Sequence, residues 1–176
     1  MLKSIAIVVV VVGIAAVLVF AATKRDDFRV QRSIVVKAAP DRILPLIADF
    51  HRWAEWSPYE KLDPAMKRVH AGAPQGVGAI YEWEGNSKAG AGRMEIKELR
   101  APSLVTIQLD FTKPVEGHNV AEFALEPRAG GTEVIWSMRG PSPYLMKLMG
   151  VFVDLDRMIG ADFETGLANL KAVADR

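Results

Sequence analysis

From Ile5 to Ala22 the chain runs without a charge, a proline or a polar amide, with Lys3 before the run and Lys24 and Arg25 after it. A helix that crosses the hydrocarbon core of a bilayer needs about 20 mostly apolar residues, so this run predicts one transmembrane helix. A cleaved secretory signal is the rival reading. Its apolar region would span about 7–15 residues and end in a small-residue cleavage site, which Val19-Phe20-Ala21 matches weakly. The expected organisation is an anchor with a short tail over 1–23, a tether over 24–27 and one domain over 28–176.

The expected location is the cell membrane, crossed once, with the bilayer contacted through Ile5–Ala22. Orientation follows the Lys and Arg count beside the span. Lys24, Arg25, Arg29, Arg32 and Lys37 against the lone Lys3 favour a cytoplasmic domain, whereas a short basic amino terminus that stays inside favours the opposite side. About 150 residues follow the span, enough for one real core and too few for two. A net charge of +1 gives no broad basic field, so nucleic acid is not an expected partner. The absence of cysteine excludes disulfides, zinc thiolates and thiol nucleophiles, and fits either redox compartment.

Beyond the tether, the hydrophobic period changes twice. Phe28, Val30, Ile34 and Val36 alternate as a strand, with Arg32 interrupting their face. Ala39-Pro40-Asp41 opens a helix whose apolar face is Ile43, Leu44, Ile47 and Phe50, and a second short helix covers His51 to Trp56. A period of two follows. It runs through Ala79, Tyr81 and Trp83, then Met94 and Ile96 after the Gly90-Ala91-Gly92 stretch. It continues through Val105 to Phe111, Ala121 to Leu125 and Val134 to Met138. Short turns imply an antiparallel meander, and Lys67 to His70 adds a further strand. From Tyr144 onward the spacing is helical, through Leu145, Met149, Phe152, Ile159, Phe163, Leu167 and Leu170, which predicts one long helix. Its apolar stripe needs a partner surface, and the meander's concave face is the one available. Gly150, Gly160 and Gly166 mark bends or close approaches within it.

This order of elements resembles the START-like (SRPBCC) helix-grip superfamily, specifically its polyketide cyclase/dehydrase and lipid-transport branch. "RSIVVKAAPDRILPLIADFHRWAEWSPYEK" resembles the opening strand and helix pair, with Pro40 before the first helix and Trp53, Trp56 and Pro58 in the aromatic stretch. "GTEVIWSMRG" is similar to the last strand, and "DFETGLANLK" to the end of the gripping helix. The resemblance runs from Phe28 to Lys171. It implies an α+β fold, a curved antiparallel sheet wrapped around a long carboxy-terminal helix, here preceded by one transmembrane helix. It does not fix an activity, because such scaffolds hold very different apolar ligands.

A helix gripping a curved sheet tends to leave a cavity, and the aromatic and Met residues here suit its wall. The expected ligand-binding residues are Trp53, Trp56, Tyr59, Tyr81, Trp83, Met94, Phe111, Phe123, Trp136, Met138, Met149, Phe152 and Ile159. Trp53 to Tyr59 and the loop near Pro141 to Pro143 are expected to frame the mouth. No catalytic set stands out. His51, Glu55, Glu60, Asp63 and His118 are read as solvated surface charge, and Asp154 with Asp156, or Asp162 with Glu164, point to different helix faces. The Gly-rich segments lack the third glycine, or the Lys and Ser/Thr, of nucleotide-binding loops, and the three histidines lie in different elements. No cofactor or metal is expected.

Two principal function classes fit. One is a membrane-anchored binding or transfer module for an apolar small molecule, such as a lipid, isoprenoid or polyketide-like compound. The other is a cyclase or dehydratase using Tyr59, Tyr81 or a carboxylate at the mouth as proton donor. An interaction protein with a collapsed cavity is a third. Ligand identity and oligomeric state are open at this level.

Overall fold

A computed structural model describes residues 2–176. Helix α1 (Leu2–Ala22) leads into strand β1 (Asp27–Val36). Helix α2 (Pro40–Ala48) follows, then two 3-10 turns, Phe50–Glu55 and Pro58–Lys61, the second lying beyond the predicted helix pair. Six strands complete the sheet: β2 (Lys67–Gly72), β3 (Ala79–Glu84), β4 (Ala91–Arg100), β5 (Leu104–Lys113), β6 (Gly117–Arg128) and β7 (Gly131–Pro141). Helices α3 (Tyr144–Met149) and α4 (Leu155–Ala174) close the chain.

The seven strands pair antiparallel in the order β1-β7-β6-β5-β4-β3-β2, so the chain meanders from β2 to β7 and β1 closes on β7. Helix α4 packs across β1 and β7, which gives the α+β helix-grip arrangement. The β4–β5 ladder shifts register at Ala91/Gly92 and at Ile96/Glu98, irregularities of the kind that bend and twist a sheet. Ala91 and Gly92 are therefore strand residues rather than part of a turn. Gly92 sits opposite Trp83, and a Cβ there would stand 2.5 Å from the indole, so glycine lets the ring lie close to the strand.

Helix α2 ends without intrahelical partners for its last carbonyls. Two indoles satisfy them: Trp53 Nε1 donates to Ile47 O at 3.0 Å, and Trp56 Nε1 donates to Leu46 O at 2.8 Å. This fixes the aromatic stretch against the sheet. Arg32, which interrupts the apolar face of β1, stands opposite Trp136 and donates to Asp156 and Glu164 on α4.

The predicted single carboxy-terminal helix is two helices. Gly150 caps α3, the chain turns through Val151 to Val153, and the Asp154 carboxylate accepts from Arg157 N to start α4. The apolar period continues across the break because both helices present apolar residues to the same cavity. Periodicity alone does not detect the interruption. The predicted tether is also held down. Ser142 N donates to Asp26 O at 2.7 Å, Lys24 Nζ donates to Gly150 O, and Lys147 pairs with Asp26.

Candidate ligand-binding site

The strand register places inward-facing side chains in cross-strand rows. One row is Trp83, Gly92, Phe111 and Gly117, and the next is Tyr81, Met94, Leu109 and Asn119. Further in come Ile107, Ala121, Met138 and Val30, then Val105, Phe123, Trp136 and Arg32. This last row is sealed except at Trp136, which also lines the cavity. Trp56, Phe123 and Leu167 pack there, with Phe123 stacked on Trp136 at 4.9 Å and Trp56 edge-on to both rings.

Nearer the amino-terminal end of β1, sheet and helix separate and enclose a cavity of about 490 Å³. Its sheet wall is Tyr81, Trp83, Met94, Leu109, Phe111, Ala121, Trp136 and Met138, with Phe28 at the edge. Ile159, Asp162 and Phe163 of α4 face them, and Trp53, Ser57, Tyr59 and Glu60 close one flank. Around the mouth stand Val115 to His118, Pro141, Pro143 and the α3 residues Leu145, Met146 and Met149.

Among the residues expected from sequence, Trp53, Tyr59, Tyr81, Trp83, Met94, Phe111, Trp136, Met138, Met149 and Ile159 meet at this cavity. Trp56 and Phe123 do not line it; both are fully buried behind it in the sealed row. Phe152 is 75% exposed in the α3–α4 turn, because the helix expected to carry it inward is broken there.

Polar groups interrupt the apolar wall at three places, whose carboxylates and histidine the sequence reading treated as surface charge or set aside. Glu60 is buried, not solvated. Its side chain is 8% exposed, Tyr81 Oη donates to Oε1 at 2.5 Å, and Arg68 Nε donates to Oε2 at 2.6 Å. Burial, and then the Glu60 bond, push the Tyr81 phenol well above its ordinary range. Asp63 is buried as well, accepting from Ala65 N and Asn86 N, which is a structural role. On the opposite wall, burial raises the Asp162 carboxyl, and burial together with the nearby Asp162 charge raises the Tyr59 phenol. At the mouth, His118 Nδ1 lies 2.8 Å from Asp110 Oδ1, and that bond raises the imidazole. His51, Glu55 and His118 are exposed, as expected for solvated groups.

Two buried polar atoms at the cavity residues, Ser57 Oγ and Trp136 Nε1, have no hydrogen-bond partner among the described residues. No sequence signal marks them, since a Ser and a Trp in an aromatic stretch read as turn and core.

A bent antiparallel sheet, a gripping helix and an apolar cavity between them define a helix-grip domain of the START-like superfamily. The chain belongs to the family described as polyketide cyclase / dehydrase and lipid transport, which matches residues 27–175. A comparison with curated proteins finds no match. Among solved structures, it is similar to protein CV1439 from Chromobacterium violaceum, with 15% identity, a TM-score of 0.59, and coverage of 86% of this chain and 98% of that one. It is also similar to the Aha1 dimer from Colwellia psychrerythraea, at 15% identity and a TM-score of 0.60 over 84% of this chain and 96% of that one. The di-domain ARO/CYC BexL from the BE-7585A biosynthetic pathway aligns at 10% identity and a TM-score of 0.64, covering 89% of this chain and 53% of that one. Likeness at such identities establishes the fold.

Proposed function

We propose that this protein is a membrane-anchored binding or transfer module for an apolar small molecule, such as a lipid, isoprenoid or polyketide-like compound. Residues 1–23 form the anchor, 24–27 the tether and 28–176 the ligand-holding domain, with the domain on the cytoplasmic side that the Lys and Arg bias favours. The carrying observation is the cavity of about 490 Å³ walled by aromatic and Met side chains. Pockets for drug-sized ligands span about 300–1,000 Å³. Helix α1 supports the anchor, because Ser4–Ala22 is long and apolar enough to cross a bilayer. Holding the domain at the membrane raises the effective concentration of a bilayer-dissolved ligand, so modest intrinsic affinity suffices. The Ser57 hydroxyl and the Trp136 indole N–H, on two of the lining residues, have no protein partner among the described residues.

A cyclase or dehydratase reading is favoured by one observation. Asp162, whose carboxyl is raised by partial burial, lines the same cavity as Tyr59, so a carboxyl group and a phenol stand near each other on its wall. Native extraction followed by mass spectrometry of co-purifying compounds tests both readings. Saturable binding of an unchanged compound supports the carrier. Its chemical conversion, abolished in Asp162→Asn or Tyr59→Phe with binding retained, supports the enzyme. A domain that neither retains nor binds an apolar compound overturns both.

A further inference from the structure

The cavity mouth and the membrane helix lie on the same rim of the sheet. Strand β1 begins at Asp27 directly after α1, and Asp27 pairs with Pro141 at the end of β7. The same rim carries the β5–β6 connection, where Phe111 pairs with Gly117, and the β3–β4 turn after Glu84. Residues around the mouth, including Val115, Pro141, Pro143 and Leu145, all belong to it. The β6–β7 turn, with exposed Ala129, lies on the opposite rim, away from this mouth.

The depth of this rim is set by α3. Tyr144 Oη donates to Leu18 O at 3.0 Å, four residues before the end of α1, and Ala21 is fully buried in the domain. At 1.5 Å rise per residue, that contact lies about 6 Å below the end of the helix. Amphipathic interfacial helices settle about 5–10 Å into the boundary between headgroups and acyl chains, and Tyr is enriched at that level. The residues beside it are greasy and uncovered. Leu145 is 56% exposed, and Val115, Met149, Phe152 and Val153 are exposed with it. Lys24 on the tether donates to Gly150 O, and the buried Lys147 of α3 pairs with Asp26, which ties α3 to the tether.

We infer that α3 and the turn to Val153 form a membrane-inserted rim, so that the cavity opens into the lipid boundary of the bilayer rather than into water. This rests on the reading of α1 as an anchor. An apolar ligand then passes between bilayer and cavity without crossing the aqueous phase, and the Met-lined mouth is adaptable enough to pass it.

The absence of native cysteine permits a direct test on the full chain. Single Leu145→Cys, Phe152→Cys, Ala129→Cys and Val10→Cys variants are nitroxide-labelled and reconstituted in phosphatidylcholine vesicles. Accessibility to oxygen and to a water-soluble nickel chelate is then measured by electron paramagnetic resonance. The inference expects labels at 145 and 152 to be oxygen-rich and shielded from nickel, as at Val10, with Ala129 the reverse. If 145 and 152 match Ala129 while Val10 stays shielded, the inserted rim is overturned and the anchor stands. If Val10 is also open to nickel, the anchor itself fails and takes the rim with it. Neither result touches the cavity, which ligand extraction tests separately.

Discussion

Trp136 on β7 lies flat against Phe163 on α4, with ring centroids 4.0 Å apart and planes 6° from parallel. This stack is where the helix grips the sheet. It also separates two regions, because one side of it is sealed core and the other is cavity wall. Phe163→Ala should remove the grip contact and leave Trp136 facing a void. Such truncations cost about 3–5 kcal/mol. Chemical denaturation monitored by circular dichroism should show that loss.

The grip leaves no room for a methyl group at one glycine and some room at another. A Cβ on Gly166 would stand 2.7 Å from the Trp136 ring and 3.1 Å from Pro58, both held by packing. A Cβ on Gly160 would meet only the Arg32 guanidinium, the far end of a flexible side chain. Overpacking costs about 1–3 kcal/mol, and alanine in place of glycine returns about 1 kcal/mol in helix propensity. Gly166→Ala should therefore be net destabilising. Gly160→Ala should be the milder of the two, since the flexible end of half-buried Arg32 can shift and its partners Asp156 and Glu164 are exposed, where ion pairs are worth about 0–1 kcal/mol. Parallel denaturant titrations of the two variants check the contrast.

Cavity and core respond differently to added volume. Ala121 lines the cavity, whereas Val105 is fully buried in the sealed row. Val105→Phe should destabilise by about 1–3 kcal/mol or more through overpacking. Ala121→Phe should be tolerated in stability, because its ring enters open space, yet weaken binding of a naphthylamine probe about tenfold, equivalent to about 1.4 kcal/mol. Equal destabilisation by both would show that no usable cavity exists at Ala121.

Partial burial raises the folded-state pKa of Asp162 above the ordinary 3.8, an effect that contact with water keeps small. The folded chain therefore holds that proton more tightly than the unfolded chain. Its contribution to stability is complete below the ordinary value and is lost as pH rises through the raised one. Asp162→Asn removes this dependence. The variant should be more stable than the parent at pH 7, with the difference vanishing near pH 3, as read from thermal midpoints across that range.

The sequence by itself determined the elements whose pattern is local. An apolar run makes α1, alternation makes the strands from Ala79 to Met138, and the stripe from Ile159 to Leu170 makes α4. Even the exposed edge strand β2 was legible, since Lys67 to His70 begins it. The aromatic and Met composition of the wall was legible too, because inward positions on a strand recur every second residue. Tertiary structure decided what those positions face. Trp56 and Phe123 share the pattern of Trp53 and Trp136, and Phe123 even stands directly opposite Trp136, yet both are fully buried in the packed core while Trp53 and Trp136 also reach the cavity. The break between α3 and α4 interrupts no apolar period, so capping by Gly150 and Asp154 determines it. Glu60 is held at the cavity by Tyr81 and Arg68, partners in other elements that no spacing rule connects. Period and composition are properties of neighbours along the chain, whereas depth and pairing belong to residues brought together only when the sheet bends around its helix.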